Sequence, residues 1–350
     1  MKTIAIVGGG PAGLAVAIAA RLRGLRAVVI EKQQPIIDKA CGEGLMPGGV
    51  DALQRLGVVI PTSASMPFDG LQLVTESLRG PLVAAAPFRA GLCGLGIRRT
   101  VLHRAMIERA ESLGAELNWD VAGMALAPHG LTTSRGMLQA DWVVGADGLH
   151  SRVRRWIGAA EPVPQRKRFG LRRHYRIAPW TTRVEVHWAQ GVDAYCTPVA
   201  PDVVGVALLC DGEAPDYDAL LARFPALQRR LADSEVVSEL RGAGPFRQKT
   251  RAVFHERVAL VGDASGYVDP ITGEGLSLAF RQAEAVVDAI ARGDLRHYAR
   301  AHKQIVRMPT MFTLGTLAVH RSPWMQRATL RVLRAAPLLL SVLVARGLPR

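Results

Sequence analysis

Acidic side chains are scarce in this chain: 30 Asp and Glu stand against 44 Lys and Arg, a formal net charge of +14. Aromatic residues are scarcer still, at 5% of 350 positions. The four cysteines, Cys41, Cys93, Cys196 and Cys210, match no metal spacing and no disulfide framework. Metal modules and disulfide scaffolds are therefore set aside, and no metal is expected. No apolar run is long enough to span a bilayer. The apolar stretch from Ile4 to Ala20 is interrupted by Gly8-Gly9-Gly10-Pro11, which breaks the helix a signal peptide needs, so a cytoplasmic location is expected. The 35 glycines follow no period and 49% of the residues are hydrophobic, which excludes collagen-like and disordered chains.

The basic excess is uneven. Residues 162–183 hold seven Lys or Arg and no acid, and residues 301–350 hold eight and no acid. Such asymmetry points to an acidic partner, either a membrane surface or an anionic substrate; the arginine usage of a GC-rich genome is the bland account. No nucleic-acid module is recognisable, which discounts DNA and RNA.

What is present begins at the N-terminus. Lys2 to Val7 reads as a strand, Pro11 to Leu25 as a helix, and Arg26 to Ile30 as a second strand. Between the first two lies Gly8-Gly9-Gly10-Pro11-Ala12-Gly13. In this strand–helix–strand setting, G-x-G-x-x-G is a dinucleotide fingerprint. Gly8 permits the tight turn, Gly10 lets a pyrophosphate approach the backbone, and Gly13 lets helix and strand pack closely. Glu31, 18 residues past Gly13, stands where an acid takes ribose hydroxyls. Gly91-Leu92-Cys93-Gly94-Leu95-Gly96 is also glycine-rich but lacks that frame.

Two further loops sit at strand ends. Gly145-Ala146-Asp147-Gly148 follows the strand Asp141 to Gly145. Gly262-Asp263 follows the strand Val258 to Val261, and Pro270-Ile271-Thr272-Gly273-Glu274-Gly275 then leads into a helix from Leu276 to Ile290. A strand, a turn and a helix N-terminus in that order make a site for a polar, anionic ligand. Helices are also expected over Gly49 to Leu56, Arg99 to Leu113 and 213–235. Residues 66–98 read as short strands, and Glu116 to Val121 as another. Period-2 patterns over Arg168 to Ile177, Val184 to Trp188, Tyr195 to Pro198 and Val203 to Leu209 read as an antiparallel sheet. The tail reads as helix broken at Pro309, Pro323 and Pro337, with an apolar run at 338–344 that packs onto the body or lies on a membrane.

Together the three loops resemble the FAD-dependent oxidoreductases of the p-hydroxybenzoate hydroxylase fold, which include group A flavin monooxygenases and geranylgeranyl reductases. The resemblance implies an α/β fold: a Rossmann-type FAD-binding domain (1–62, 99–161 and 251–295) interleaved with an antiparallel-sheet substrate domain (63–98 and 162–250), then a C-terminal helical segment (296–350). It places Gly8, Gly10, Pro11, Ala12 and Gly13 on the FAD pyrophosphate, and Glu31 with Lys32 on the adenosine side. Arg99 and Val121 also line the cofactor. Asp147 and Gly148 touch both FAD and NAD(P)H, Gly262 and Asp263 meet the ribityl chain, and Pro270, Gly273, Glu274 and Gly275 run under the flavin. Cys41-Gly42-Glu43 resembles a stretch near the flavin of geranylgeranyl reductases, which makes Cys41 and Glu43 the candidate catalytic pair. Pro270 to Gly275 resembles their Pro-Leu-Thr-Gly-Glu-Gly. Their Tyr-x-Trp-x-Phe-Pro segment is reduced here to Tyr195-Cys196-Thr197-Pro198, and the Trp-x-Trp-x-Ile-Pro of flavin halogenases is absent.

The expected activity is NAD(P)H-dependent monooxygenation of a hydrophobic aromatic or polyketide-like substrate through a C4a-hydroperoxyflavin. Tyr175, Trp188 and Tyr195 are the candidates to line a flat pocket. Reduction of carbon–carbon double bonds in an isoprenoid lipid is the alternative, and a non-enzymatic flavin-binding protein the weaker one. The expected partners are a small hydrophobic or anionic substrate and a membrane surface met through the basic C-terminal helices.

Overall fold

The computed structural model describes residues 1–75, 82–162, 167–212 and 216–335. Pro337 and the apolar run 338–344 lie outside them, as does the start of the helical stretch expected at 213–235. Helices among the described residues are α1 (Pro11–Leu22), α2 (Pro47–Arg55), α3 (Arg99–Ser112), α4 (Arg152–Trp156), α5 (Tyr217–Leu221), α6 (Pro225–Leu231), α7 (Gly275–Arg292), α8 (Leu295–His320) and α9 (Pro323–Ala335).

The N-terminal strands belong to a six-stranded sheet. Its order is Phe254–His255, Val258–Leu260, Trp142–Gly145, Thr3–Val7, Arg26–Glu31 and Glu116–Trp119, parallel except at the Phe254–His255 edge. Its four inner strands are short, apolar and mostly buried, as a parallel sheet requires. Ile4 and Ile6 face α1, α3 and α7, whereas Ala5 and Val7 face the opposite side. That opposite side is covered by a three-stranded meander (Gly123–Ala127, Gly130–Thr133, Gly136–Gln139), which the sequence reading does not anticipate. Helix α1 ends earlier than expected. Gly24 takes a left-handed φ of +69°, and the Leu25 N–H closes on the Ala20 carbonyl.

The period-2 segments form an eight-stranded sheet. Arg168–Arg176, Val203–Asp211, Val192–Ala200 and Val184–Ala189 run antiparallel side by side, and Gly70–Thr75 with Leu82–Pro87 extend the sheet. One face carries Leu171, Tyr175, Val206 and Leu208 against α5 and α6. The other face looks toward the parallel sheet. A small sheet of Gly44–Leu45, Gly94–Ile97 and Ser65–Phe68 joins the two large ones.

At the C-terminus, α8 runs unbroken through Pro309, contrary to the expected interruption. A proline inside a helix removes one hydrogen bond and crowds the preceding turn. Here Ile305, Pro309, Thr313 and Leu317 recur every four residues as one buried stripe, and that burial offsets the loss. The break does fall at Pro323, which opens α9. Leu330 and Leu333 of α9 pack on Leu73, Ala84, Val186 and Trp188. Among the described residues no helix is long and apolar enough to cross a membrane.

Candidate functional site

A cavity of about 1240 Å³ lies between the carboxyl ends of the parallel strands, the inner face of the eight-stranded sheet and helices α8 and α9. A crevice at the carboxyl edge of a parallel sheet is where such folds bind ligands.

At its polar end the backbone is stripped of side chains. Gly8 sits at φ +112°, and a Cβ there would stand 2.4 Å from the Ala146 carbonyl oxygen. Gly10 borders open space, with a guanidinium nitrogen of Arg99 3.6 Å from its would-be Cβ. Among the described residues no side chain caps α1, so the N–H groups of its first turn are free to meet an anion. Glu31 accepts from the Gly9 N–H at 2.9 Å and the Gln33 N–H at 3.0 Å, leaving its outer lone pairs toward the cavity. Lys32 and Val121 also line this end.

Two half-buried charges face the same space. Among the described residues Arg99 Nε has no hydrogen-bond partner, and burial pulls the guanidinium below its ordinary value. Burial pushes Asp263 up, opposed by Arg99, Lys39 and Arg154. Buried polar groups are normally paired. A ligand carrying both negative charge and hydroxyl groups supplies what each lacks. Bare glycine backbone, an uncapped helix N-terminus, Arg99, Glu31 and Asp263 together fit a flavin dinucleotide.

The loops are held by residues that the sequence reading missed. His103 on α3 accepts from the Ile37 N–H through Nδ1 at 3.1 Å and donates from Nε2 to the Gly9 carbonyl at 2.7 Å. That pairing needs the neutral ring, and burial lowers it to about 4. Arg154 on α4 donates to the carbonyls of Leu149, Asp263 and Ala264 and to Gln248, tying one ligand loop to another. Gln282 accepts from the Gly262 N–H at 2.7 Å. None of these sits in a short motif; only the fold brings them to the loops.

The expected residues divide as follows. Gly8, Gly10, Pro11, Ala12, Glu31, Lys32, Arg99, Val121, Gly148, Gly262, Asp263, Pro270, Gly273, Glu274 and Gly275 line the cavity. Gly13 does not. A Cβ on it would stand 1.9 Å from the Gly8 carbonyl oxygen, so it shapes the turn from behind. Asp147 lines the cavity, but its carboxylate is occupied: it accepts from Ser151 Oγ at 2.5 Å and from the N–H groups of Arg152 and Val153 at the start of α4. Burial raises Glu274 to about 7. Trp188 and Tyr195 line the apolar part, and Tyr195 donates to the Ile271 carbonyl at 2.8 Å. Tyr175 does not belong with them. It is buried on the opposite face of the sheet against Tyr217, because it stands an odd number of residues from cavity-lining Arg172 on its own strand.

Cys41 and Glu43 line the wall where the two ends meet. Their loop is held from both sides: Glu43 Oε1 accepts from the Arg99 N–H at 2.8 Å, and the Gly42 carbonyl accepts from Thr197 Oγ1 at 2.8 Å. Burial pushes the Cys41 thiol up, keeping it protonated. Glu43 is a buried acid in the left-handed region, φ 57°, a strained conformation for a non-glycine residue. Its Oε2 meets His174 Nε2 at 2.5 Å. Arg172 donates to His174 Nδ1 at 3.1 Å, so Nε2 carries the proton, and Arg172 also pairs with Asp38. A polar chain thus runs from the cavity wall to half-buried Asp38.

Two other clusters form only in three dimensions. Arg168 binds Asp193 at 2.5 Å, Asp269 at 2.6 Å and Asp211 at 3.1 Å, and His320 of α8 meets Asp193 at 2.8 Å. Behind the sheet, donor atoms of Glu185, His187 and Cys196 lie within 4.8 Å of one another. Glu185 is already engaged by Gln72, Trp180 and His187.

Comparison with known proteins bears on this site. A family profile for an FAD binding domain matches residues 1–190. The chain is 27% identical over 321 residues to a digeranylgeranylglycerophospholipid reductase of Methanothrix thermoacetophila, covering 83% of this chain and 79% of the other. It is 28% identical over 312 residues to a rifampicin monooxygenase of Streptomyces venezuelae, covering 81% and 62%. Among solved structures, a flavoprotein/dehydrogenase from Cytophaga hutchinsonii superposes with a TM-score of 0.83 at 16% identity, covering 98% and 93%.

Proposed function

The chain belongs to the FAD binding domain family and is an FAD-dependent oxidoreductase, and from that premise we propose that it saturates a carbon–carbon double bond in an apolar, isoprenoid-like substrate. The observation that carries this reading is the Cys41–Glu43 loop, a protonated thiol and a buried acid on the wall between the polar cradle and the apolar arm.

Bound FAD, recharged by NAD(P)H, supplies a hydride equivalent. The chain's own residues do the rest. Gly8, Gly10 and the first turn of α1 hold the pyrophosphate, Arg99 neutralises it, and Glu31 and Asp263 take hydroxyls. The uncapped start of α7 favours negative charge at the adjoining loop. Leu71, Val184, Val186 and Phe312 exclude water from the apolar arm. Saturating a double bond consumes one hydride and one proton. Cys41 Sγ gives the proton, becoming a thiolate that burial makes strongly basic. Solvent reaching the cavity restores that proton, and the Asp38–Arg172–His174–Glu43 chain holds the loop in place.

Oxygen insertion is the second reading, favoured by Trp188 and Tyr195 in the cavity wall. The expected flat aromatic pocket is weakened by the loss of Tyr175 to the far side of the sheet. The test is the product formed from an unsaturated isoprenoid with NAD(P)H in air. A gain of two hydrogens, abolished in Cys41→Ala while FAD stays bound, is expected. A gain of one oxygen with Cys41→Ala still active overturns the reductase reading.

A further inference from the structure

We propose that α8 and α9 form a docking face for an anionic membrane, and that the cavity opens within that face. The proposal rests on the apolar-substrate reading only for its purpose; its geometry is independent.

The face begins with exposed apolar side chains. Met308, Met311 and Leu314 recur every three residues along α8 and are 49%, 59% and 46% exposed. On α9, Trp324 is 71% exposed and Val332 52% exposed, two helical turns apart and on adjoining positions of the helix surface. Large apolar side chains in contiguous exposed stripes mark an interaction surface.

These stripes are continuous with the cavity. Met308 and Met311 are exposed and also line it, as do Met325 and Thr329 on the neighbouring flank of α9. A long apolar molecule entering here meets Met308, Met311 and Met325.

Charge selects the occupant. Lys303 and Arg307 flank the stripe on α8, and Arg327 and Arg331 flank Trp324 on α9; all four are exposed. No acid occurs from 301 to 335. Apolar side chains bordered by cations, with a tryptophan among them, fit the interface of an anionic bilayer. A second copy fits poorly, since a two-fold contact would set the same cations against each other. Nucleic acid is a poor match for the apolar centre.

The probe is vesicles of phosphatidylcholine alone and of phosphatidylcholine mixed with phosphatidylglycerol, with the flavin-loaded protein followed by flotation at low and high salt. Binding to the anionic vesicles alone is expected, weakened by salt. Each of Arg327→Ala and Arg331→Ala is expected to lower partitioning about fivefold, and Trp324→Ala to lower it at both salt levels. Retained flavin absorbance and helicity show that the variants fold. No flotation with anionic vesicles at low salt overturns the proposal, as does flotation that these substitutions leave unchanged. Concentration-dependent dimerisation abolished by Trp324→Ala would also overturn it, assigning the face to a second copy. If vesicles bind but no isoprenoid is turned over, the docking face stands and the substrate reading falls. If detergent-dispersed isoprenoid is turned over and no vesicle binds, the reverse holds.

Discussion

Under the proposed function, Arg99 is unfavourable for the fold and favourable for the ligand. Its side chain is half-buried, with Nε buried and, among the described residues, unpartnered, an arrangement that costs stability until an anion arrives. Arg99→Met is therefore expected to raise the unfolding midpoint of the flavin-free protein. It should weaken FAD binding by roughly 1.5–3 kcal/mol, the worth of a hydrogen bond to a charged group. Flavin fluorescence titration and thermal unfolding of the same variant check both signs; a fall in both would make Arg99 a structural cation. Glu31 differs, since its carboxylate already holds the Gly9 and Gln33 N–H groups. Glu31→Ala should weaken FAD by about 1–3 kcal/mol and also loosen the first loop. Position 31 was readable from spacing alone. The burial of Arg99, and the neutral His103 that anchors Gly9, were not, because both depend on what α3 is pressed against.

At the scale of elements, the tightest constraint lies where α1 meets the strand before it. A Cβ on Gly13 would overlap the Gly8 carbonyl at 1.9 Å, so Gly13→Ala must push the helix away. The expected cost is about 1–3 kcal/mol of stability together with loss of bound flavin on gel filtration. Helix α4 is a second case. The sequence places Asp147 in a ligand loop, but its oxygens hold Ser151 and the first N–H groups of the helix. Asp147→Ala should cost about 1–2 kcal/mol in urea unfolding, as lost N-caps do. An unchanged unfolding curve with a changed NAD(P)H requirement would return Asp147 to the ligand. Helix α8 shows the converse limit of local rules, since a stripe of burial outweighs the proline within it.

For the whole molecule, the Arg168 cluster joins the large sheet, the loop entering Pro270 and helix α8. Removing one partner of a buried pair strands the others, so Arg168→Met should cost about 3–5 kcal/mol. A loss under 1 kcal/mol in urea unfolding would mean that the carboxylates find other partners. The pH response is also a property of the whole. His103 and His302 are lowered by burial from 6.5 to about 4, so the unfolded chain binds more protons between those values, and stability falls on acidification through that window. Glu274 is raised by burial from 4.5 to about 7, so the folded chain binds more protons there, and its contribution is lost as pH rises through that window. The two effects oppose each other. Glu274→Gln should steepen the net rise in stability from pH 4.5 to 7, measured by thermal midpoints across pH; an unchanged slope would place Glu274 in solvent.

By itself, the sequence determined the nucleotide fingerprint, the strands and helices around it, and the class of cofactor. Those rest on local rules: a glycine at a forbidden φ, an uncapped helix start, an acid at fixed spacing, apolar alternation along a strand. Only the tertiary structure decided which side chains share a space. It put Tyr175 behind the sheet while Trp188 and Tyr195 line the cavity, and it joined Glu43 to His174 across 131 positions. It also brought Met308 and Met311 of α8 and Met325 of α9 to the wall of the same cavity. Contacts between distant segments follow from how whole faces bury, and no short window of sequence contains both faces.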